Sequence, residues 1–208
     1  MEAPFRGEDV THAGLILATG GDPDHLDPST VRAMLAESPR AKLVIPKSLA
    51  ERVHAMGIGY GRMVTTDSDL RVEYLDDRIY AVPSARPQLD WTPLGGYPYL
   101  GYLIRFGRCT IYHPGDCVPY DGLAGRLRPY NVTIALLPIS GSPLNFEIAE
   151  AAQLAEDIGA QWLIPMHYGM FEGATGDASG FLNHVLGHRP SQKFKILECG
   201  ERWEMPHS

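Results

Sequence analysis

The chain is expected to fold as an α/β domain, a two-layer sheet core with helices on its outer faces. Three observations carry that expectation. Apolar strand-like runs alternate with amphipathic helical runs at both ends of the chain, and short antiparallel pairs occupy its middle. Three apolar runs stop in turns that present Asp or His. These are Gly20-Gly21-Asp22-Pro23-Asp24-His25 after Leu15-Ile16-Leu17-Ala18, the end of Tyr112-His113-Pro114-Gly115-Asp116, and the end of Ile164-Pro165-Met166-His167-Tyr168. Finally, 208 residues with 44% apolar and 21% charged content suit one sizeable domain with its own core, spanning 1–208.

Taken in order, residues 10–18 read as a strand. Asp27 then caps a helix, with Pro28 in its first turn and Val31, Met34 and Leu35 on its apolar face. Residues 41–45 form a short buried strand, and 47–56 a second helix closed by Gly57. Short strands follow at 62–65, 70–74, 78–82, 99–106 and 109–113, the last two joined as a hairpin through Gly107-Arg108. The Pro- and Gly-rich stretch 84–97 is a loop inside the domain. Residues 132–138 are a buried strand. Residues 148–158 are an amphipathic helix that offers Ile148, Ala151, Leu154, Ala155 and Ile158 to the core and ends at Gly159. A strand at 162–165, a helix at 179–186 and a strand at 194–198 complete the chain. There is no internal repeat.

Composition removes several function classes. Net charge is −7 with no run of Lys or Arg, which argues against a nucleic-acid partner. No stretch approaches the roughly 20 apolar residues of a membrane span, and the N-terminus lacks a signal pattern. Cys109, Cys117 and Cys199 are odd in number and far apart, with no CxxC, which favours a reducing, cytoplasmic setting over a disulfide framework. Neither a Gly-x-Ser-x-Gly elbow nor a phosphate-binding glycine loop is present, so serine hydrolysis and nucleotide chemistry are disfavoured.

The segments Asp24-His25-Leu26-Asp27-Pro28, Tyr112-His113-Pro114-Gly115-Asp116, Leu136-Leu137-Pro138-Ile139, Ile164-Pro165-Met166-His167-Tyr168 and Gly200-Glu201-Arg202-Trp203 together resemble the metallo-β-lactamase superfamily. Within it, they look most like the L-ascorbate-6-phosphate lactonase-like group. The resemblance implies a four-layer αββα sandwich and a metal-dependent hydrolase. It further implies that Asp24, His25, a bridging Asp116 and His167 hold a divalent ion. The family's leading pattern, His-x-His-x-Asp-His, would put histidines at positions 20 and 22, where this chain has Gly20 and Asp22. A further family ligand falls on Arg86. A guanidinium is always charged and would repel a cation, so at most one tightly held ion is expected. Two carboxylates and two imidazoles suit Zn, Mn or Fe.

The activity so implied is lactone or ester opening on a small anionic substrate. The ion would lower the pKa of a bound water from about 15.7 toward roughly 7, and the resulting hydroxide would attack the carbonyl. Asp22 would position or deprotonate that water, Asp116 would hold the ion, and Arg86 would either pair with Asp22 or hold the substrate's negative charge. The N-terminus is shorter than the resemblance implies; a missing edge hairpin would expose a strand and favour a homodimer. His113 is read as a residue that supports the ligands or the fold, Tyr168 as either a hydrogen-bond donor to substrate or a packed side chain, Met166 and Met170 as core, and Gly95, Gly96 and Gly101 as a loop beside the site. His12, His54, His184, His188 and His207 are read as surface residues. The alternative reading is a catalytically silent binding or scaffold module, suggested by the lost leading ligands. A nuclease or phosphodiesterase of the same superfamily is the least favoured.

Overall fold

A computed structural model describes residues 4–169 and 176–206; Met170 and His207 lie outside the described residues. The elements are β1 (Leu15–Leu17), α1 (Pro28–Glu37), β2 (Lys42–Pro46), α2 (Ala50–Ala55), β3 (Met63–Thr66), β4 (Arg71–Tyr74), β5 (Asp77–Pro83), β6 (Leu100–Phe106), β7 (Cys109–His113), α3 (Leu123–Leu127), β8 (Ile134–Pro138), α4 (Ile148–Ile158), β9 (Trp162–Met166), α5 (Ala178–His188) and β10 (Lys193–Phe194). Strands β1, β2 and β3 make a small parallel sheet. The other seven form a mixed sheet in the order β10-β9-β8-β7-β6-β5-β4.

Strand periodicity sorts the apolar residues into three cores, because neighbours along a strand point to opposite faces. In β2, Leu43 and Ile45 face α1 and α2, packing with Val31, Leu35 and Val53. Val44, between them, faces the other way and meets Ile79, Ala81, Leu100 and Tyr102 of the large sheet. In β6, Leu103 turns to the far face and joins Tyr112, Ala135 and Leu137 under α4 and α5, which contribute Ala151, Leu154, Ala155, Phe181 and Val185. The layers are therefore helix, sheet, sheet, helix, as expected.

Four local expectations are corrected. The first strand is confined to Leu15–Leu17. Ahead of it, the Ser38 hydroxyl donates to the Val10 carbonyl at 2.7 Å and accepts from the Ala13 amide at 3.0 Å, so this stretch is tied to the end of α1 instead of to a strand. The second helix opens as a 3-10 turn, Lys47–Leu49, before α2. Gly101 lies within β6 rather than in a loop; a Cβ there would sit 2.8 Å from the Pro114 backbone, so glycine lets β6 and the turn after β7 approach closely. At the C-terminus only Lys193–Phe194 pairs with β9. Helix α3 was not anticipated; five residues are too few to show a helical repeat.

Topology gives the molecule one working edge. Strands β7, β8 and β9 are parallel, and two antiparallel steps through β6 set β5 in the same direction. The C-terminal ends of β5, β7, β8 and β9 and the start of β6 thus open together. The end of β1 joins them: the Leu100 amide donates to the Thr19 carbonyl at 2.8 Å, and the buried Tyr102 hydroxyl donates to the Ala18 carbonyl at 2.7 Å. These bonds cross between the two sheets. Tyr102→Phe leaves a buried carbonyl without its donor and is expected to lower stability by about 1–2 kcal/mol in chemical denaturation. An unchanged midpoint would show that the cross-sheet bond is dispensable.

Candidate metal centre

His25 is placed by the turn after β1. Its amide and that of Leu26 both bond the Asp22 carbonyl, at 3.0 and 2.8 Å, and the buried Leu26 anchors the turn. The ring's Nδ1 lies 2.9 Å from the Thr19 hydroxyl, and its Nε2 faces Asp116 Oδ2 at 3.3 Å. A hydrogen bond at Nδ1 fixes the ring and leaves Nε2 available to a cation. Thr19 also rests against the turn after β7. Gly115 there has φ +66°, and a Cβ on it would lie 2.7 Å from Thr19 Cβ. Glycine is needed at this position on both counts.

Asp116 follows directly and is 7% exposed. Its Oδ2 forms an ion pair with Arg86 Nη2 at 2.8 Å. Its Oδ1 is buried without a hydrogen-bond partner among the described residues and lies 3.5 Å from His167 Nδ1. His167 follows β9 with φ +59°, a left-handed conformation that costs a non-glycine residue on the order of 1 kcal/mol. Such strain concentrates where a side chain must be aimed. The donor atoms of His25, Asp116 and His167 all lie within 4.8 Å of one another. Two imidazoles and an unpartnered buried carboxylate oxygen are a donor set that fits one transition-type divalent ion.

Charges in the cluster are mutually supported. The hydrogen bond with Asp116 raises the His25 pKa above 6.5, with burial opposing. Burial lowers the His167 pKa below its ordinary value, against the pull of Asp116, which favours the neutral ring that can donate a lone pair. Burial disfavours the Asp116 carboxylate, yet the hydrogen bond from His25 and the nearby His25, His167 and Arg86 charges hold its pKa below the usual value.

Arg86 adjoins this cluster. Its Nη1 donates to Asp22 Oδ2, and its guanidinium carbon stands 4.6 Å above the centre of the Tyr99 ring. Tyr99 in turn covers Gly20, where a Cβ would lie 2.9 Å from the ring. The loops bearing Arg86 and Asp116 are fastened together: the Ser84 hydroxyl donates to the Pro114 carbonyl at 2.6 Å and the Val118 amide to the Ala85 carbonyl at 3.0 Å.

Of the residues singled out from the sequence, His25, Asp116 and His167 converge. Asp22 and Arg86 pair beside them. Asp24 stands at the rim, 67% exposed, with its carboxylate 3.7 Å from His25 Nε2. Tyr168 points elsewhere and donates its hydroxyl to the Leu197 carbonyl. Three contributors were not anticipated. Thr19 and Tyr99 act through contacts between distant segments, which leave no local signal. Asn145 is buried, with Nδ2 3.5 Å from His167 Nδ1; its only sequence mark is its place beyond β8 on the working edge. A cavity of about 430 Å³ between α3 and α4, lined by Tyr120, Leu123 and Phe146 among others, touches none of the converging residues.

The layered fold and the His-Asp-His cluster at its strand ends define a metallo-β-lactamase-type protein. The family model described as "Beta-lactamase superfamily domain" matches residues 1–168, and the chain belongs to that family. It is similar to the UPF0173 metal-dependent hydrolase of Pyrococcus furiosus, 28% identical over 211 residues that cover 98% of this chain and 86% of the relative. A UPF0173 metal-dependent hydrolase of Methanopyrus kandleri is 29% identical, covering 96% and 85%. Among solved structures, Igni18, a novel metallo hydrolase from Ignicoccus hospitalis, shares the fold with a TM-score of 0.74 at 20% identity, over 90% of this chain and 77% of that one. The metallo-beta-lactamase fold protein YhfI from Bacillus subtilis does so with a TM-score of 0.67 at 15% identity, over 91% and 76%.

His113 gives the site an acid limit. Its Nδ1 accepts from the Gly115 amide at 3.1 Å and so must be unprotonated, and burial pushes its pKa down to about 4. The unfolded chain protonates near 6.5, so between 6.5 and about 4 it binds more protons than the folded one. The stabilisation is therefore intact above pH 6.5 and is lost as pH falls toward 4. The expected loss is on the order of 3 kcal/mol in chelator-treated protein. His113→Asn should flatten that part of the stability–pH curve; an unaltered curve would refute the assignment.

Proposed function

We propose that the protein is a metal-dependent hydrolase holding one divalent ion, Zn or Mn, with Fe a third candidate. Its ligands in this reading are His25, Asp116 and His167, with Asp24 as a fourth from the rim. The observation that carries the reading is the convergence of two imidazoles on a buried aspartate whose Oδ1 has no partner among the described residues. The names of the similar UPF0173 proteins, metal-dependent hydrolases, agree with it.

When bound, such an ion polarises a carbonyl oxygen and acidifies a water. The chain's own groups do the rest. Thr19 holds the His25 ring in place. Asp22, paired with Arg86 yet 37% exposed, orients the attacking water. Arg86 offers no open fork, since both terminal nitrogens are engaged, Nη1 by Asp22 and Nη2 by Asp116. It attracts an anionic substrate through its field rather than through a direct clamp. A small anionic lactone or ester is the substrate class this favours, in line with the resemblance to the lactonase-like group.

Asp116→Ala is expected to abolish both ion binding and turnover on a panel of lactones, esters and phosphodiesters, with circular dichroism checking the fold. Full activity in that variant would overturn the mechanism. Turnover of phosphodiesters alone would replace the substrate class.

A further inference from the structure

We infer that Arg86 is a tethered cation that takes the place of a second ion and holds the centre to one exchangeable metal. The inference rests on the metal-centre reading above and adds the physical cause that limits the site to one ion.

Two carboxylates converge on the guanidinium. Nη1 donates to Asp22 and Nη2 forms an ion pair with Asp116 Oδ2 at 2.8 Å, and the Arg86 side chain is only 10% exposed. Its Nε is buried without a partner among the described residues. The group is thus held by the two carboxylates and the Tyr99 face, as a cation is, and not by a full set of hydrogen bonds. Asp116 is accordingly a bridging carboxylate. Oδ2 meets the fixed charge and also faces His25 Nε2 at 3.3 Å, whereas Oδ1 remains for the exchangeable ion beside His167. Arginine does not surrender its proton in proteins, so this charge cannot be removed by pH or by a chelator. A divalent ion about 4 Å from it would bind on the order of a millionfold more weakly through like-charge repulsion alone at an effective dielectric of about 20. Tyr99 adds a steric bar, since it fills the space into which any side chain at position 20 would extend.

The test is ion stoichiometry. The purified full chain is stripped, titrated with Zn²⁺ and separately with Mn²⁺, and assayed by calorimetry and by elemental analysis after equilibrium dialysis. The native protein should take up one ion per chain. Arg86→Lys, which keeps the charge, should also take up one. Arg86→His puts an imidazole beside Asp22 and Asp116 and should take up two, with Mn²⁺ spin resonance changing from an isolated to an exchange-coupled signal. Two ions in the native protein would overturn the inference and leave the hydrolase reading standing. So would a single ion in an Arg86→His variant that melts cooperatively. No ion in the native protein would overturn both readings. If Arg86→His does not fold, the native and Arg86→Lys titrations still decide between one ion and two.

Discussion

The Asp116 carboxylate is the interaction on which the rest of the centre depends. A carboxylate this buried is costly unless cations or donors surround it. Here Arg86 and His25 both meet Oδ2, and His167 faces Oδ1. Each of those groups comes from a different strand end, so the charge can be satisfied only if β1, β5, β7 and β9 finish at one level. The cross-sheet bonds from Leu100 and Tyr102 to the end of β1 enforce that level. The interlayer core and the chemistry are therefore one problem: a shift between the sheets would separate His25 from Asp116 before it exposed much apolar surface.

The layered fold was legible because its signal is periodic. Leu43, Val44 and Ile45 are adjacent apolar residues that face two different cores, and a strand buried on both faces reads as a continuous apolar run. Helix α4 was legible for the complementary reason: its apolar face repeats over eleven residues and stops at a left-handed Gly159. Where the period is too short the reading failed. Residues 10–14 and 195–198 are apolar enough to pass for strand, but what they pair with is decided elsewhere, by Ser38 in the first case.

The site divides along the same line. His25, Asp116 and His167 could be picked out because each sits just past a strand, where a turn can aim a side chain. The unusual backbone of Gly115 and His167 was not legible in detail, although the Gly-Asp pair hinted at a sharp turn. Asp22 with Arg86 was visible only as one option for a mismatched pair of residues. What decides between pairing and substrate binding is burial, and burial belongs to the folded chain. Thr19, Tyr99 and Asn145 carry no chemistry of their own that would mark them; they matter through what they touch.

Charge balance explains why an arginine is compatible with a working centre. Asp22, Asp24 and Asp116 bring three negative charges to a small volume. One guanidinium and the single divalent ion proposed above would neutralise them, whereas two divalent ions and the guanidinium would leave a surplus that buried groups tolerate poorly. The hydrogen bond with Asp116 raises the His25 pKa and so favours a proton on the same ring that would hold the ion. Proton and metal thus answer the same electrostatic demand and compete for it. In a protein of net charge −7, such a neutral centre would spare an anion the repulsion it meets elsewhere on the surface.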